Sequence, residues 1–145
     1  MAYLTQGMWV VVADGERAVV LENTGDTQRP VLRQVHHLAA PDMATASDRP
    51  GRMADKGPNQ RSALETPDVD RLEAEAMVRT LMGWLEGQSS LPPLVLVAPP
   101  QVLGAMRAAM GAGVRAQLRF EMDKTLTRHP LPRIAELVAE ELGRG

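Results

Sequence analysis

The chain has 145 residues, 44% of them hydrophobic and 23% charged, a size and composition that suit one buried core and leave little room for a second. It has no cysteine, which excludes disulfides, thiol nucleophiles and cysteine-rich zinc sites and agrees with a reducing compartment. The formal net charge of −2 gives no whole-molecule attraction to nucleic acid or anionic lipid, so any such contact must come from a local patch.

Met8 to Ala13 is a continuous apolar run, too short to span a bilayer and without the basic segment and cleavage site of a signal peptide. A cytoplasmic location without membrane contact is therefore expected. The run predicts a strand buried on both faces, and Asp14-Gly15 closes it as a two-residue hairpin turn. Arg17 to Glu22 forms the second strand, and Asn23-Thr24-Gly25-Asp26 turns the chain again. Val31 to Leu38, interrupted by Arg33, Gln34, His36 and His37, predicts a half-exposed third strand at an edge. From Ala39 to Thr66 no periodicity survives, and this polar loop is far longer than the usual connection of about 4–6 residues.

Thr66-Pro67-Asp68 is a helix start. Val69, Leu72, Ala76, Met77, Leu81, Trp84 and Leu85 then form one apolar stripe up to Gly87. Leu94 to Ala98 is a second unbroken apolar run, expected to lie beside the first strand. Pro99-Pro100 stops it, and Val102, Leu103, Met106 and Met110 mark a short helix ended by Gly111 and Gly113. Ala116, Leu118, Phe120 and Met122 alternate with Arg115, Gln117, Arg119 and Glu121, the period of a strand with one wet face. Pro130 to Leu142 predicts the last helix. Residues 1–145 thus form one α/β domain with a long loop at 39–66. The two apolar strands sit centrally and parallel, which makes a five-stranded mixed sheet of order 3-2-1-4-5 with strand 2 antiparallel and helices on both faces. That is a ribonuclease H-like arrangement.

Four aromatic residues, Tyr3, Trp9, Trp84 and Phe120, read as core or near-core, which argues against base stacking. The nine methionines read as core filler. His36 and His37 point to opposite faces of a strand, and His129 lies far along the chain, so they assemble no zinc site. Asp14 reads as a turn residue ahead of a metal ligand, since Glu73 and Glu75 are the only obvious acidic partners. No metal and no cofactor is implied, and neither a phosphate loop nor a nucleophile elbow occurs.

Trp9 to Ala18, Pro50-Gly51-Arg52, Val95 to Pro100 with Leu103-Gly104 and Met106-Arg107, and Asp123 to Thr127 resemble the bacterial host attachment protein family, over nearly the whole chain. The resemblance implies kinship with the middle domain of archaeal and eukaryotic peptide-release factors, and hence a ribosomal role, whereas the family name implies attachment to host cells. In release factors a Gly-Gly-Gln loop before the long helix promotes peptidyl-tRNA ester hydrolysis. Here that region reads Gly57-Pro58-Asn59-Gln60, and proline at the second position lacks the amide and the freedom of glycine. Gln60 is therefore a speculative catalytic residue, and a binding role ranks above catalysis.

Basic residues supply the candidate contacts. Arg52, Lys56 and Arg61 lie in the long loop, beside Arg49, and Arg107, Arg115, Arg119, Lys124 and Arg128 follow later. They predict contact with the ribosome or structured RNA through phosphates, weighed against a solvated face that protects an edge strand. A protein partner linked to cell-surface attachment is the alternative, and ester hydrolysis the third.

Overall fold

The computed structural model describes residues 3–39 and 66–144. Its elements run β1 (Trp9–Ala13), β2 (Arg17–Asn23), β3 (Leu32–Ala39), α1 (Thr66–Glu86), β4 (Leu94–Ala98), α2 (Pro100–Ala109), α3 (Ala112–Gln117), β5 (Leu118–Asp123) and α4 (Leu131–Arg144). The two apolar runs become β1 and β4, paired in parallel from Trp9 opposite Leu94 to Val12 opposite Val97. β1–β2 and β2–β3 are antiparallel, β4–β5 is parallel, and the sheet order is β3-β2-β1-β4-β5. This order and these directions are what the ribonuclease H-like reading requires.

Alternation along each strand divides the core into two layers. Val11, Ala13, Ala18, Val20, Leu94, Leu96 and Ala98 face α1, α2 and α3, while Val10, Val12, Leu21, Val95, Val97 and Met122 face α4. Six of the nine methionines, Met8, Met77, Met82, Met106, Met110 and Met122, are buried in these layers, and the other three lie outside the described residues. Tyr3 departs from expectation: it is 53% exposed.

Two elements differ from the sequence pattern. The stripe of α1 that reaches the sheet is Met77, Val78, Leu81, Met82 and Leu85, whereas Leu72 is exposed. A helix of 21 residues spans about 31 Å and the five-residue central strands about 17 Å, so the helix outruns the sheet it covers. Residues 112–117, expected to include the start of a strand, form the short helix α3, and β5 begins at Leu118. A register shift opposite Leu94/Val95 then breaks the alternation. Leu118 packs toward α1–α3, whereas Phe120 and Met122 pack toward α4.

β3 carries a similar irregularity. Val20 pairs with His36 and Leu21 with Gln34, leaving Val35 as the extra residue of a bulge. His36 therefore points toward α1, where it stacks on Trp84 at 4.1 Å, and Trp84 also stacks on Trp9 at 5.6 Å. Burial there pushes the His36 imidazole below its ordinary value, with the charge of His37 acting in the same direction.

Candidate functional site

β1, β4 and β5 run in the same direction, so their carboxyl ends share one edge of the sheet, the usual place for ligands in parallel α/β folds. At that edge the β1–β2 turn is tightly defined. The Asp14 backbone N–H donates to the Arg17 carbonyl at 2.9 Å. Asp14 Oδ1 accepts the N–H groups of Glu16 at 2.7 Å and Arg17 at 2.9 Å. The other carboxylate oxygen accepts the Thr127 hydroxyl, 113 residues away. Burial pushes the Asp14 carboxyl up, but the Thr127 hydroxyl, the two backbone N–H groups and the Arg17 charge outweigh it, and the net shift is downward. Each carboxylate oxygen thus accepts a hydrogen bond, and among the described residues no three histidine or acidic groups come together to hold a metal.

Thr127 belongs to the loop between β5 and α4. Buried Leu126 anchors that loop in the core, and the His129 N–H donates to the Leu126 carbonyl at 3.1 Å. The Asp14–Thr127 hydrogen bond therefore clasps the hairpin to the segment that launches α4. Beside the clasp opens a cleft of about 480 Å³, within the range of small-molecule sites. Val19, Leu38, Leu131 and Ile134 form its apolar lining, and Arg17, Gln34, His37 and His129 are its polar groups, with Glu16 and Thr127. It opens where α4 approaches β3 yet leaves the α4-facing side of the β2–β3 hairpin half covered: Val19, paired with His37, is only half-buried.

The sequence-derived basic residues are spread differently. Arg115 lies on α3, not on β5, and donates to the Met110 carbonyl at 3.1 Å. Arg119 donates to the Ala116 carbonyl and to Gln117 Oε1. Arg107 pairs with Glu121. Lys124 and Arg128 are exposed on the β5–α4 loop, past the carboxyl end of β5, whereas Arg119 lies near the start of that strand. Arg52, Lys56, Arg61 and Gln60 lie outside the described residues. Arg17, His37 and His129, which do share a cleft, were legible as single polar residues but not as a set, because nothing in their spacing announces that a hairpin, an edge strand and a pre-helix loop meet.

A family profile described as "Protein required for attachment to host cells" matches residues 9–138, a stretch that contains every strand and the cleft. The chain belongs to that family. Comparison with curated proteins returned no match. The resemblance read from the sequence thus holds for the host attachment family, whose matched region begins at the first residue of β1 and ends inside α4. Among the described residues no helix is long and apolar enough to cross a membrane.

Proposed function

We propose that this protein is a binding domain acting in attachment to host cells, and that it makes its contact through the cleft beside the Asp14–Thr127 clasp. The observation that carries this reading is the convergence of Arg17, His37 and His129, from three separate segments, on one cleft at the carboxyl end of the sheet. The family description supplies the role, and the clasp gives the cleft a fixed wall, as a pre-organised binding site needs.

A second reading, kinship with release factors and contact with ribosomal or other structured RNA, is supported by Lys124 and Arg128, both exposed on the loop that forms one wall of the cleft. One experiment separates the two. Strains carrying Arg17→Glu/His129→Ala or Lys124→Glu/Arg128→Glu in place of the natural gene are scored for attached cells, and the purified variants for salt-sensitive RNA retention on filters. The first reading expects the Arg17/His129 variant, folded by circular dichroism, to attach at the level of a gene deletion. Attachment at the natural level in that variant would remove the cleft from the process. Salt-sensitive RNA retention that disappears in the Lys124/Arg128 variant would establish the second reading.

A further inference from the structure

We infer that the cleft takes a small organic oxyanion, a carboxylate or phosphate carried on an apolar body; this rests on the reading of the cleft as a binding site. The chemistry follows from what the sheet leaves uncovered. By register, Arg17, Val19, His37 and Ala39 occupy the α4-facing side of the β2–β3 hairpin, where the cleft opens beside α4. The apolar part of that surface, with Leu131 and Ile134 of α4, offers a floor that an aliphatic body can dehydrate.

Its polar groups are biased toward anions. Arg17 makes no ion pair among the described residues and presents a planar fork that fits a carboxylate or phosphate with two parallel hydrogen bonds. His37, His129 and the Gln34 amide add further donors to the same cleft. Among the described residues the one acid in the lining is Glu16, and the neighbouring Asp14 carboxylate is turned to Glu16 N–H, Arg17 N–H and Thr127. A cation would meet Arg17 with no cluster of carboxylates among the described lining residues to offset it. A volume of about 480 Å³ admits a molecule of metabolite size.

The test is isothermal titration of the full chain with octanoate, octyl phosphate, octylammonium and inorganic phosphate. The first two distinguish a carboxylate from a phosphate source, the third reverses the charge on the same body, and the last removes the body. Saturable binding of octanoate or octyl phosphate is expected, at least tenfold tighter than octylammonium or inorganic phosphate, with at least a tenfold loss in Arg17→Glu. His129→Ala, which changes no core residue, provides the same readout if Arg17→Glu fails to fold, with a threefold or greater loss expected. Equal binding of octanoate and octylammonium, or affinity unchanged in both variants, overturns the proposal. If the cleft variants abolish attachment while none of the four probes binds, the ligand class is wrong and the cleft's role in attachment stands. If the anions bind as expected while attachment is indifferent to those variants, the ligand class stands and that role falls.

Discussion

Asn23 is fully buried, and its side chain is satisfied at both ends. Its amide nitrogen donates to the carbonyls of Leu4 at 3.0 Å and Thr5 at 3.1 Å, while its carbonyl oxygen accepts the N–H groups of Gly25 and Val31, each at 3.0 Å. The residue therefore ties the segment before β1 to the turn between β2 and β3. Gly25 belongs to the same device, since a Cβ there would stand 2.2 Å from the Arg29 carbonyl oxygen. Asn23→Ala strips one buried and three partly buried hydrogen bonds and leaves their backbone groups without this partner, at a cost of about 3 kcal/mol. Urea unfolding measures it: a drop in midpoint at unchanged slope is expected, and a loss under about 1 kcal/mol would show that water replaces the side chain. From the sequence, Asn23 was legible only as a turn former. Its partners Leu4 and Thr5 precede it by a whole hairpin arm, and local pattern carries no trace of them.

Among the elements, the strands declared themselves because burial on both faces demands unbroken apolar runs, and β1 and β4 are the two such runs in the chain. α3 did not, because six residues with a single buried side chain, Val114, have too little apolar surface to display a period. What holds α3 is remote. Glu86, the last residue of α1, accepts the N–H groups of Gly113 and Val114 at 3.0 Å each, so a carboxylate from one helix caps the start of another. Gly111 and Gly113 make room for it, since a Cβ at either would come within 2.6 Å of the Glu86 carboxylate. Glu86 is exposed, so its removal opens no cavity and the expected cost of Glu86→Ala is that of a lost cap, about 1 kcal/mol. Gly113→Ala should cost a similar amount by displacing the carboxylate. Once Glu86 is shortened, the alanine should become neutral or stabilising, because helix propensity then acts alone. A double-mutant cycle in denaturant tests this, and strict additivity of the two changes would mean that the carboxylate and the glycine do not share one space.

At the scale of the molecule, sheet order was legible and the cleft was not, and one physical reason covers both. Strand order follows from how much of each strand is buried, which composition records strand by strand. A cleft depends on how fully a helix covers a sheet, and the amphipathic pattern of α4 does not record how it sits on β3. The Asp14–Thr127 clasp is the element that turns this partial cover into a site, by joining the first hairpin to the last loop. Its strength is tied to charge. The Asp14 carboxylate, held below its ordinary value of 3.8, is deprotonated more readily in the folded chain than in the unfolded one. As pH falls, the unfolded chain takes up this proton first. The contribution of Asp14 is therefore complete above 3.8 and disappears as pH drops through the lower folded value. Asp14→Asn retains an oxygen for the turn and an amide to meet the Thr127 hydroxyl, but has nothing to titrate. Stability measured in urea across the acid range should therefore fall less steeply in Asp14→Asn than in the natural protein below pH 3.8, with parallel curves above it. Curves that stay parallel into acid would mean that the clasp gains nothing from the ionised carboxylate, and that the hairpin and the α4 loop are held together by packing of Leu126 and Ile134 alone.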